Sequence, residues 1–159
     1  MSIRSTAKAI IIKDNKVLLN KCDDGRNGVY YSLPGGGQHK YETLTEAVIR
    51  ECLEETGFTV NPVRFAALCE EICLDGGFRE KYPEYAHKMY HIFICELVDH
   101  EKELPTEKDL MQVGSEWVHI ESLQHIRLLP EVVGNNILDI ITNSAPIFLG
   151  SEHIRFNHG

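Results

Sequence analysis

Pro34 and three consecutive glycines, Gly35-Gly36-Gly37, break an extended segment and lead into a helix whose two ends are both marked in the sequence. Thr43-Leu44-Thr45-Glu46 is a capping box, which makes Thr43 the expected N-cap, and Gly57 is the expected C-terminal stop. Any fold must therefore place a short helix directly behind an open glycine turn. Leu44, Val48, Ile49, Cys52 and Leu53 form the apolar side of that helix. Glu51, Glu54 and Glu55 stand at i, i+3 and i+4, so helical geometry gathers their carboxylates into an arc of roughly 100°. Two unit charges roughly 6 Å apart repel by roughly 3 kcal/mol at an effective dielectric of 20. A nearby cation reverses that sign, and hard oxygen donors beside an open glycine backbone suit Mg²⁺ or Mn²⁺.

The same residues fit a known pattern, G-x(5)-E-x(7)-R-E-u-x-E-E-x-G-u, in which u is apolar: Gly36, Glu42, Arg50, Glu51, Glu54, Glu55 and Gly57 fill every fixed place. Cys52 and Phe58 fill the two apolar ones. The segment from Gly36 to Phe58 thus resembles the box of the Nudix hydrolases. Two variable places depart from many members: His39 stands where an acidic residue is frequent, and Tyr41 where a glycine is frequent, just before Glu42. The shape of the loop over the metals is therefore expected to differ from that of relatives.

Length and charge limit the alternatives. A chain of 159 residues is expected to form a single domain over residues 1–159 with a full core. The formal charge of −8, from 16 basic and 24 acidic residues, argues against nonspecific nucleic-acid binding, which needs a basic footprint. It leaves room for a small anionic substrate that arrives with its own cation. The N-terminus has no long apolar region and the longest apolar run, Ala9 to Ile12, is far short of a membrane span. Five cysteines without C-x-x-C spacing are expected to be reduced and mostly buried. A cytoplasmic protein with no membrane partner follows from these features.

Ala7–Ile12 and Lys16–Asn20 are expected to pair as a hairpin across Asp14-Asn15, followed by a polar loop from Cys22 to Gly28 and an extended run from Val29 to Leu33. Phe65–Leu74, His87–Val98 and Gly114–Ile120 are further strand candidates, and Pro146–Leu149 a short final one. Pro130–Thr142 is a second helix, and Asp75–Ala86 a long connection of the kind that forms lids. This order of elements predicts an α/β (α+β) fold, an α/β/α sandwich with helices on both sides of a central mixed sheet. The Nudix resemblance implies the same.

The resemblance also implies roles. Glu51, Glu54 and Glu55, joined by the carbonyl of Gly35, would hold the divalent metal, Mg²⁺ or alternatively Mn²⁺. Arg50 would form an ion pair that orients these carboxylates, which helical geometry permits with its neighbours Glu46 and Glu54, and Glu42 would brace the loop against the helix. Gly36 and Gly57 are structural. The implied reaction breaks a pyrophosphate bond in a nucleoside diphosphate linked to another moiety, with water as nucleophile and a carboxylate as base. Glu54 is the candidate base within the box, while Glu107, Asp109 and Glu116 are candidates outside it. Tyr30, Tyr31, Phe78, Tyr82 and Tyr85 are candidates to stack on a base, and Arg26 and Arg79 to meet a phosphate. Markers of the ADP-ribose, dinucleoside polyphosphate and NADH subclasses are absent downstream of the box, so the substrate stays open. A homodimer is compatible with the resemblance, and a nucleotide-sensing domain without turnover is the competing reading.

Overall fold

The computed structural model describes residues 2–23, 25, 28–98 and 112–155. Arg26, Glu107 and Asp109, named above as phosphate-binding and base candidates, lie outside the described residues. The chain opens with strands β1 (Arg4–Lys13) and β2 (Lys16–Asp23), paired antiparallel. Asp14 and Asn15 between them take positive φ values of 51° and 61°. Two left-handed residues are what a tight hairpin turn requires, and Asp and Asn tolerate that backbone better than most side chains.

Strand β3 (Val29–Ser32) joins the far side of β2, and β4 (Gly35–Gly37) runs antiparallel to the start of β1. Helix α1 (Leu44–Thr56) follows, then β5 (Val60–Cys73), α2 (Gly76–Lys81), β6 (His87–Leu97), β7 (Gln112–His119), β8 (Leu128–Leu129), α3 (Glu131–Thr142) and β9 (Ile147–Ile154). Among the described residues these strands form one mixed sheet in the order β8-β3-β2-β1-β6-β5-β9, with β7 also pairing β2. β1 runs parallel to β6, and β5 parallel to β9.

Alternation along β1 feeds two separate cores. Ala7, Ala9 and Ile11 point to one face, where they meet Ala47, Val48 and Cys52 of α1. Ile10 points to the other, where Ile92 of β6 meets Val133, Ile137 and Ile140 of α3. The helices thus lie on opposite faces of the sheet, as the element order predicts. Two alanines on β1 and one on α1 bring the box helix close to the strand that pairs with the glycines of β4.

Several boundaries differ from expectation, each for a local reason. The final strand runs to Ile154 instead of ending at Leu149. Gly150, at φ 87°, absorbs a register shift opposite Leu68 and Cys69, so pairing to β5 continues past the irregularity. β5 begins at Val60, before Pro62, because a register shift between Pro62 and Arg64 removes the demand for a proline N–H. The connection from Asp75 to Ala86 is not an open loop. Asp75 caps α2 by accepting a hydrogen bond from the Gly77 N–H at 3.0 Å, Phe78 and Tyr82 pack their rings 5.3 Å apart, and Pro83–Tyr85 adds a 3-10 turn. None of the five cysteines is in a disulfide, and all are buried. Among the described residues no helix is long and apolar enough to cross a membrane.

Candidate active site

Helix α1 is held at both ends by the predicted caps. The Thr43 hydroxyl accepts from the Glu46 N–H at 3.1 Å, the Glu46 carboxylate accepts in return from Thr43, and Gly57 closes the helix at φ 79° with its N–H on Leu53. Glu46 is thereby committed to the cap and does not meet Arg50, although helix geometry permits that i−4 pair. Arg50 reaches instead across to the loop.

Its Nε donates to Glu42 at 2.7 Å and one terminal nitrogen to the other Glu42 oxygen at 3.0 Å, a two-pronged pair. The same terminal nitrogen donates to the Gly37 carbonyl at 2.9 Å, tying helix to glycine turn. The second terminal nitrogen donates to Glu51 at 2.9 Å and Glu54 at 3.3 Å. One guanidinium therefore collects three carboxylates that would otherwise repel. Glu42 also accepts from the His39 N–H at 3.0 Å, which ties it to the loop as well as to the helix.

Titration follows the geometry. The Arg50 hydrogen bonds hold the Glu42 carboxyl down at about 2, and Glu42 in turn raises the Arg50 guanidinium above its ordinary value. Glu51 moves the opposite way. Burial raises its carboxyl, and Arg50 only partly offsets that.

The three helix carboxylates do not share one surface. Glu55 is only 3% exposed and turns inward, where one of its oxygens accepts from the Gly35 N–H at 2.7 Å and from Asn20 Nδ2 at 3.3 Å. Gln112 donates to Asn20 and to the Glu55 carbonyl, which closes this inner network. Glu51 and Glu54 face outward, with side chains 16% and 27% exposed. Among the described residues no three His, Cys, Asp or Glu side chains already converge as a metal cluster.

The donor chemistry nevertheless fits a hard divalent cation. Gly36 lies so close to Glu51 that a Cβ there would sit 2.8 Å from the carboxylate, so only glycine leaves the Glu51 oxygens their space. Gly35 has φ 136°, and a Cβ on it would meet the Ala7 carbonyl at 2.1 Å, which fixes the backbone that presents its carbonyl. That carbonyl accepts from Lys8 Nζ at 3.1 Å, so a cationic group already stands at this place. Sequence reasoning missed Lys8. Its signal was a lone charge inside the apolar run Ala7–Ile12, on the strand face of Ile10.

The remaining candidates scatter. Glu116 accepts from the Tyr31 hydroxyl at 2.8 Å, an arrangement that raises the Tyr31 phenol and occupies both side chains. Arg79 donates to the Cys73 carbonyl at 2.6 Å and serves the α2 connection. Tyr82 packs on Phe78, Tyr85 lies under the Arg4 guanidinium at 4.7 Å, and Tyr30 is buried in the core. One residue near the box is strained. Tyr41 takes φ 71° with a side chain 93% exposed. A left-handed conformation costs a non-glycine residue about 1 kcal/mol or more.

A family model described as the NUDIX domain matches residues 3–135. A putative Nudix hydrolase 1 from Caenorhabditis elegans is 29% identical over 128 residues, covering 77% of this chain and 31% of that protein. An ADP-ribose pyrophosphatase from Methanocaldococcus jannaschii is 50% identical over 48 residues, 30% of this chain and 28% of that protein. The chain thus spans under a third of the length of these curated relatives in each match. A crystal structure of a MutT protein from Bacillus halodurans superposes with a TM-score of 0.69 at 19% identity, covering 96% of this chain and 91% of that one.

Proposed function

The chain belongs to the NUDIX family by the match over residues 3–135, and from that membership we propose that it hydrolyses the pyrophosphate bond of a nucleoside diphosphate linked to another moiety. A nucleoside triphosphate or a nucleotide sugar is the substrate type. The observation that carries the reading is the Arg50 fork, which gathers Glu42, Glu51 and Glu54 beside a glycine turn and leaves Glu54 the most exposed of the three.

Nudix hydrolases generally work with divalent metals. Here Glu51, Glu54 and the Gly35 carbonyl would hold Mg²⁺ or Mn²⁺, and Glu55, hydrogen-bonded inward to the Gly35 N–H and Asn20, would have to turn toward the ion to join them. The metal when bound supplies charge neutralisation at the diphosphate and a more acidic water. Each protein group then has a task. Glu54 accepts a proton from the attacking water, whose oxygen bonds to phosphorus as the bridging P–O bond breaks, and the bond's electron pair leaves on the departing phosphate. Arg50 keeps Glu51 and Glu54 at fixed orientation, and touches no reacting atom. Glu42 anchors Arg50 to the loop. Glu55 accepts from the Gly35 N–H and so anchors the glycine turn to the helix. Five buried thiols, none in a disulfide, suit the reducing cytoplasm.

The test is product release from a panel of nucleoside triphosphates, nucleotide sugars and ADP-ribose, with Mg²⁺ and with EDTA. Release of a nucleoside monophosphate from at least one compound, abolished by EDTA and reduced at least about a hundredfold by Glu54→Gln, is the expected result. Binding of nucleotide without turnover would replace the enzyme with a sensor. Near wild-type turnover in the Glu54→Gln protein at saturating Mg²⁺ would reassign the base.

A further inference from the structure

A groove of about 570 Å³ opens beside the box, lined among others by Ile3, Arg4, Gln38, His39, Tyr41 and Glu84. The bond-breaking step proposed above does not use it. At its rim stands Tyr41, the strained residue of the loop, with its ring in solvent. Core packing does not explain that strain, because the ring's described aromatic contact is only the Lys40 ammonium, 5.2 Å from its centroid. What enforces the conformation is the turn itself. The Glu42 N–H donates to the His39 carbonyl at 3.1 Å, the His39 N–H to the Glu42 carboxylate at 3.0 Å, and Gln38 Nε2 to the Glu42 carbonyl at 2.6 Å.

That turn is in turn bolted to the carboxylate cluster through the two-pronged Arg50–Glu42 pair. Tyr41 therefore stands on a backbone turn that is tied, through Arg50, to Glu51 and Glu54. Glycine would hold the same backbone without strain, so a tyrosine here has a use for its ring. The charges around the groove narrow that use. The Glu42 charge is matched by Arg50, while Arg4 and Lys40 each lie on an aromatic ring, Tyr85 and Tyr41, against the single carboxylate of Glu84. Two cation–aromatic pairs flanking a groove suit a planar ring attached to an anion.

We propose that Tyr41, assisted by Lys40, is the stacking platform for the nucleobase of the substrate, seated in this groove while its diphosphate reaches the carboxylates. The assignment rests on the pyrophosphohydrolase reading. It predicts a base-tolerant, stacking-based selectivity, since every nucleobase offers a flat face.

The test uses methylene-bridged diphosphates of adenosine, guanosine and uridine, which cannot be hydrolysed, with methylenediphosphonate as the base-free probe, all in Mg²⁺. The wild-type protein should bind the nucleotides about tenfold or more tighter than the base-free probe. Tyr41→Gly should erase that preference, leave methylenediphosphonate binding within twofold, and melt no lower than wild type because the strain is relieved. Tyr41→Phe should restore the preference. A Tyr41→Gly protein that keeps the full preference overturns the platform while leaving the hydrolase reading intact. A wild-type protein that binds neither probe and turns over none of the substrate panel overturns both.

Discussion

Replacing Arg50 with methionine removes the one cation that holds three carboxylates together, and its cost can be worked from the geometry. Arg50 makes contacts of 2.7 and 3.0 Å to Glu42, 2.9 Å to Glu51, 3.3 Å to Glu54 and 2.9 Å to the Gly37 carbonyl. Removing one partner of a fully buried ion pair costs about 3–5 kcal/mol, because the other charge is left without compensation. Here the carboxylates are 14%, 16% and 27% exposed, so water recovers part of the loss and the lower end, about 3 kcal/mol, applies. For a domain of this size that is a fall in Tm of about 6–12 °C. In urea, with a slope of about 2 kcal/mol per molar, the midpoint should drop by about 1.5 M, readable through Trp117. Arg50→Lys, which keeps the charge but not the fork, should lose about half as much. The decisive arm is the double variant: Glu42→Gln placed in the Arg50→Met protein should recover about 1 kcal/mol, since it deletes a stranded charge. A loss below about 1 kcal/mol for Arg50→Met, or further destabilisation by the added Glu42→Gln, would refute the reasoning.

The two glycines of the turn should respond differently to the same substitution. Gly35→Ala drives a Cβ to 2.1 Å from the Ala7 carbonyl, backbone against backbone, and should destabilise by about 3 kcal/mol or more in urea unfolding. Gly36→Ala meets only the end of the Glu51 side chain at 2.8 Å, so unfolding should change by about 1 kcal/mol while Mn²⁺ affinity, followed by calorimetry, drops about tenfold. Acid titration should show Glu42. Its folded carboxyl is depressed to about 2, so its stabilisation is complete above the unfolded value near 4.5 and drains as pH falls from there to about 2. A loss of about 1–3 kcal/mol across that window, absent in Glu42→Gln, is expected in pH-dependent urea melts. Glu51 works with the opposite sign. Its raised carboxyl takes up a proton more readily folded than unfolded, so its contribution grows as pH falls toward 4.5 and partly masks the upper end of the decline.

What could be read in advance was local. Thr43, Glu46 and Gly57 set the ends of α1 through bonds spanning three or four residues, and the structure has all of them. The hairpin at Asp14-Asn15 and the strands around it follow from the same short range. Side-chain partners that depend on distant strands were not legible. Helix spacing points Arg50 to Glu46 and leaves Glu42, ahead of the N-cap, out of account, yet the folded turn gives Glu46 to the cap and Glu42 to the guanidinium. Spacing likewise gathers Glu55 with Glu51 and Glu54, but Asn20 on β2 and Gly35 on β4 draw it inside. Lys8 escaped for a related reason, whereas Tyr41 was legible as a departure in the loop but not as a left-handed residue. The ammonium of Lys8 finds its carbonyl across a strand pair, and the left-handed angle of Tyr41 fits its standing where a glycine is frequent. The length of β9 depends on Gly150 absorbing a mismatch with β5, a pairing across roughly eighty residues of sequence.

The most direct measurement is a Mn²⁺ titration followed by the electron paramagnetic resonance signal of the free ion, with methylene-bridged ADP present and absent. Saturable uptake by the wild-type protein is expected, weakened at least about tenfold by Glu51→Gln and by Glu54→Gln. Glu46→Gln, which touches only the helix cap, should bind as wild type does. No saturable uptake in either condition, or uptake that Glu51→Gln and Glu54→Gln leave unchanged, would contradict that expectation.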